Sequence, residues 1–71
     1  MNPFNPDKLL LSKWTAVHPE NKEKHFLVTE LERDEEGVLL QVELQAVYTR
    51  RSQRLDWRVL RDDQLWLLGW R

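Results

Sequence analysis

The sequence predicts an all-β fold, a single small domain of about five antiparallel strands arranged as a twisted meander or a partly open SH3-like or OB-like barrel. Three observations carry that prediction. Val38, Leu40, Val42, Leu44, Ala46 and Tyr48 alternate with mostly polar neighbours, a period of two sustained far longer than any helical spacing of three and four allows. Leu55, Trp57 and Val59 repeat the alternation against Arg54, Asp56 and Arg58. Short polar breaks with turn chemistry separate the apolar runs, and no segment offers the strand–helix–strand pattern of a parallel sheet.

The chain starts with Asn-Pro twice in six residues, and each proline drives its predecessor away from helix, so residues 1–8 read as an irregular N-terminal arm and 9–71 as the domain. Leu9 to Val17, apolar on both parities, reads as a first strand. His18 to Lys24 is polar and holds Pro19 and Asn21, the composition of a seven-residue loop. His25 to Arg33, with Phe26, Val28, Thr29 and Leu31, reads as a second strand. Asp34-Glu35-Glu36-Gly37 closes a tight turn in which glycine supplies positive φ, and Val38 to Tyr48 is the third strand. Thr49 to Gln53 turns the chain into a tryptophan-rich hairpin, strands four and five, broken at Arg61 to Gln64. Leu40, Val42, Leu44, Ala46, Leu55, Trp57 and Val59 form the expected core. Three of the four tryptophans fall in the last 18 residues, and each can bury roughly 150–250 Å².

Seventy-one residues make one domain that buries only about 60–65% of its unfolded surface. The lack of cysteine removes disulfides and thiolate ligands and suits a reducing compartment, and no run of apolar residues is long enough to span a membrane. A soluble cytoplasmic protein with no membrane contact is the expectation.

Enzyme chemistry finds little to work with. Ser12 and Ser52 are the only serines and His18 and His25 the only histidines, and neither serine sits in a glycine-bracketed elbow. His18 and His25 with Glu20 or Glu23 match no defined metal spacing, and with two glycines in the chain there is no phosphate-binding loop. The sequence therefore predicts no catalytic residue, no metal and no cofactor.

Net charge is −1, yet the charges are segregated: Glu30 to Glu36 carries five acids and one base, and Arg50 to Arg61 carries five arginines and one aspartate. In a meander the turns at His18–Lys24 and Thr49–Arg54 share one end, gathering Lys22, Lys24, His25, Arg50, Arg51 and Arg54 into a basic pole. The turns at Asp34–Gly37 and Arg61–Gln64 share the other, gathering Asp34, Glu35, Glu36, Asp62 and Asp63. Strand five has apolar residues on both faces, so Leu65, Trp66, Leu67 and Trp70 form a candidate interaction surface that the Phe4 arm, a partner or a second copy would cover. A small non-catalytic protein-interaction module or subunit with a basic pole follows from these features, its partner an unknown protein or a second copy. Single-stranded RNA or DNA binding is the alternative, opposed by the inward parity of Tyr48 and Trp57, which leaves the arginines without an exposed ring beside them.

Ser12-Lys13-Trp14-Thr15-Ala16-Val17, then Pro19 and Lys22-Glu23-Lys24-His25-Phe26-Leu27-Val28, then Leu55-Asp56-Trp57-Arg58 and Trp66 followed by Gly69-Trp70 resemble a family of small tryptophan-rich bacterial conserved hypothetical proteins, a domain of unknown function. The resemblance extends from about Asn5 to Trp70 and implies an identity without an activity.

Overall fold

A computed structural model describes residues 1–71 as one all-β unit. Its strands are β1 (Lys13–Glu20), β2 (Glu23–Arg33), β3 (Leu39–Ala46), β4 (Ser52–Asp56) and β5 (Trp66–Leu68), with short 3₁₀ turns at Pro6–Lys8 and Trp57–Arg61. They form one open antiparallel sheet in the order β4-β3-β2-β1-β5. The five strands are the expected ones. The order is not that of a plain meander, because β5 lies beside β1 and not beside β4.

That difference starts at Asp56. The Leu55, Trp57, Val59 alternation suggests a strand to Val59, but the Asp56 carboxylate accepts a hydrogen bond from the Arg58 backbone N–H at 2.9 Å, the geometry of a helical N-cap. Trp57–Arg61 therefore coils, drops the fully buried Leu60 into the core and carries the chain across to β5, whose Trp66 pairs with Ala16 and Leu68 with Trp14. The tryptophan hairpin does not form.

Two further boundaries move. Leu9 to Ser12 is a turn and not the start of β1: Leu11 has φ of 66°, and the Ser12 hydroxyl donates to the Leu9 carbonyl while accepting the Trp14 indole N–H at 2.8 Å. The supposed loop from His18 to Lys24 is mostly strand. Only Asn21 and Lys22 turn, with φ of 54° and 62°, the pair of left-handed residues that a two-residue type I′ hairpin requires. Between the pairs Thr15↔His25 and Glu20↔Glu23 the longer β1 side bulges, which is where Pro19, lacking an N–H, is tolerated.

β3 keeps its period of two from Val42 to Ala46, all fully buried on that face. The predicted parity fails at both ends. Arg33 pairs with Leu39 and Glu32 with Gln41, so Leu40 is an extra, bulged residue; Leu39 points into the core, and Val38 and Leu40 are exposed. At the other end β3 stops at Ala46, whose N–H and carbonyl bond across a turn to Arg51 and Arg50, and Tyr48 stands 75% exposed on that turn.

The core holds Leu9, Trp14, Phe26, Val28, Leu39, Val42, Leu44, Ala46, Leu60 and Trp66, and the predicted core residues Leu55, Trp57 and Val59 pack half-buried against it. The N-terminal arm closes the open side. Asn2, buried, donates its amide to the carbonyls of Leu60 and Trp66 at 2.9 and 2.6 Å. The Phe4 ring meets Trp14 and Trp57 edge to face at 5.4 and 6.1 Å, with the Arg61 guanidinium 4.6 Å from its centroid.

Candidate functional site: a basic and aromatic face

The β2–β3 pairing brings the Asn21–Lys22 turn alongside the Val47–Arg50 turn. Phe26 lies opposite Ala46, and the Val47 N–H donates to the His25 carbonyl at 2.9 Å. A buried carboxylate locks the two turns together. Glu23, 3% exposed, accepts from the Thr49 hydroxyl and from Nε and Nη2 along one edge of the Arg51 guanidinium, the Nε contact measuring 3.1 Å. Such a forked pair fixes orientation as well as distance. The hydrogen bonds from Arg51 and then Thr49 hold the Glu23 carboxyl below its ordinary pKa, and the same contact raises that of Arg51.

On the outer side of this lock, Lys22, Lys24, His25, Val47 and Tyr48 line a cleft. Ion pairing divides the predicted basic pole in two. Arg51 is committed to Glu23, and Arg54 lies among Glu30, Glu43 and Glu32 at 2.9, 3.4 and 4.0 Å. No ion pair engages Lys22, Lys24 or Arg50. Of the six residues of the predicted pole, Lys22, Lys24 and Arg50 thus carry charge without an ion-pair partner and His25 adds an imidazole to the cleft, whereas Arg51 and Arg54 are ion-paired. Tyr48 has no aromatic or cation–π contact of its own.

Two residues outside the predicted pole extend the face. Gly69, at φ of 79°, turns the chain after β5, and its N–H donates to the Lys13 carbonyl at 2.8 Å. Trp70 consequently folds onto the outer side of the sheet. Its indole N–H bonds the Phe26 carbonyl at 2.9 Å, its ring centroid is 5.9 Å from that of His25, and the Lys13 ammonium sits 4.9 Å from it. His25 Nε2 is 2.9 Å from the Arg71 carbonyl oxygen, and the Arg71 N–H donates to the Thr15 hydroxyl at 3.0 Å. Gly69 immediately before Trp70 was the available signal for this fold-back, but the destination of the ring depends on β5 pairing with β1.

The apolar surface expected of strand five is much reduced. Trp66 is inside, 5.1 Å from Phe26 and edge to face, and Leu67 is half-buried opposite Thr15. Leu65 and Trp70 remain exposed. The acidic pole also separates. Asp34 caps its own turn through the N–H groups of Glu36 and Val38, whereas Asp62 and Asp63 lead into β5 at Leu65, whose carbonyl accepts from Val17 in the far half of β1. Nowhere do three His, Asp or Glu side chains converge as a metal ion would require.

A family model described as "Tryptophan-rich protein (DUF2389)" matches residues 12–71. No curated protein and no solved structure matches the chain.

Proposed function

The chain belongs to the tryptophan-rich DUF2389 family, and we propose that this member is a small non-catalytic binding module that docks an anionic partner on the face built by Lys22, Lys24, His25, Tyr48 and Arg50. The observation that carries the reading is the sorting of cations by ion pairing: on a chain of net charge −1, Lys22 and Lys24 line one cleft with Tyr48, and neither they nor Arg50, on the Tyr48 turn, has an ion-pair partner. Unpaired charge on turns held rigid by the Glu23 lock costs little to reorganise on binding. With Trp66 buried, the charged face offers more to a partner than strand five does.

The absence of cysteine supports a reducing bacterial cytoplasm as the place of action, and no helix is long and apolar enough to cross a membrane.

Retention on immobilised heparin, a generic polyanion, tests the reading. A protein of net charge −1 is held only if its cations act locally, so retention at about 0.05 M salt that fades by about 0.2 M is expected. The double substitution Lys22→Glu with Arg50→Glu should abolish it. Arg51 is left intact because reversing it would strand the buried Glu23 carboxylate and confound binding with unfolding. A wild-type protein that flows through at low salt defeats the proposal.

A further inference from the structure

Resting on the docking face just described, we infer that its ligand is a single-stranded polynucleotide, with one base stacked on Tyr48 and the flanking phosphates held by Lys22, Lys24 and Arg50. The cations alone would serve an acidic protein equally well; the ring decides between the two. Tyr48 is 75% exposed and no other ring or cation covers it, although it is flanked in one cleft by two lysines and an imidazole. An exposed aromatic ring among cations meets what a single strand presents, a π-face on each base and a negative charge between successive sugars. A carboxylate-rich protein surface would leave the ring idle.

The platform is held in place before any ligand arrives. Val47 is tied to the His25 carbonyl, Arg50 to the Ala46 carbonyl at 2.8 Å, and Thr49 to buried Glu23, so the backbone on both sides of Tyr48 is fixed. Trp70, packed against His25, and Lys13, over the Trp70 ring, continue the aromatic and basic surface along the sheet. A duplex hides its base faces and gains nothing from Tyr48. Stacking on a base and pairing with phosphates use no sugar hydroxyl, so DNA and RNA should be held alike.

Fluorescence anisotropy with a labelled oligothymidylate of about ten nucleotides tests the inference, with poly-L-glutamate as a competing polyanion. Tyr48→Ala should weaken oligothymidylate binding about 5- to 150-fold, the loss of one stacked base, and leave competition by polyglutamate unchanged. Tyr48→Phe should restore binding, because the ring and not the hydroxyl is used. Oligouridylate should bind as oligothymidylate does, and a duplex of the same length much more weakly. If Tyr48→Ala binds within about twofold of wild type while Lys22→Glu with Arg50→Glu abolishes binding, the stacking inference is overturned and the anionic docking face stands. A wild-type protein that binds polyglutamate at low salt but not oligothymidylate assigns the face to an acidic protein. If neither polymer binds, both readings fall.

Discussion

Glu23 is the residue on which the candidate site depends. Its carboxylate is buried with its charge matched by Arg51 and its remaining capacity filled by Thr49. Because its pKa is depressed in the folded chain, ionised Glu23 favours folding fully at and above the ordinary glutamate range. That contribution fades as pH falls through the depressed value, and protonation then frees Arg51 and the Thr49 turn. Thermal midpoints measured between about pH 6 and pH 2 should fall toward the acid end, and Glu23→Gln should lower the midpoint at pH 6 while flattening that fall. An acid limb as steep in the variant as in wild type would place the titration elsewhere, with Asp56 and Asp63, whose pKa values are also depressed by Arg58 and by the N-terminal ammonium, as the next groups to test. Nothing in the sequence marked Glu23 among twelve acids, because its burial arises from a contact with a turn more than twenty-five residues away. Tyr48 was misplaced for the converse reason. A two-residue period predicts the facing of a side chain only while the strand lasts, and β3 ends two residues before it.

At the level of elements, the turns show how the chain compensates for unfavourable residues. Asn21 and Lys22 both adopt left-handed backbone, at ease for asparagine and costly by roughly 1–2 kcal/mol for lysine. Lys22→Gly should therefore raise stability by about 0.5–1 kcal/mol, the relief of strain less the extra freedom glycine gains when unfolded, and at the same time shorten retention on heparin. Denaturant midpoint and elution salt, measured on one preparation, would show the opposite signs; a variant losing both would mean that the lysine side chain also supports the turn. Two-residue periodicity made β3 and the stretch from Arg54 legible, and apolar, β-rich runs between polar breaks made the other strands so, with the Asp34–Gly37 turn among those breaks. The partner of β5 was not. Sequence adjacency favours a hairpin with β4, and what prevents it is one side chain, Asp56, capping the 3₁₀ turn that redirects the chain. The bulge at Leu40 was equally silent, and the one in the second half of β1 left only Pro19, which read as a loop.

For the whole molecule, charge segregation was legible as an excess along the sequence but not as a surface. Pairing in three dimensions removes Arg51 and Arg54 from the pole, and the crossing of the chain to β5 carries Asp62 and Asp63 away from Asp34, Glu35 and Glu36. What survives is one basic corner on a molecule of near-neutral total charge. The sheet that carries it does not close, and an unclosed sheet is exposed to pairing with its own kind. Two flanks, β4 and β5, present backbone groups without a neighbouring strand, the geometry that nucleates strand-to-strand aggregation. β5 is defended by its brevity, three residues and then the Gly69 bend. β4 offers five residues and is defended by Arg54, anchored among Glu30, Glu32 and Glu43, so that an incoming strand would have to bury a charged cluster. Arg54→Thr keeps a good strand former at the centre of that flank and removes the guard. Light scattering of a concentrated solution should then rise with time while the wild-type signal stays flat, and a variant that stays clear would show that five residues are too short a template to recruit a second copy.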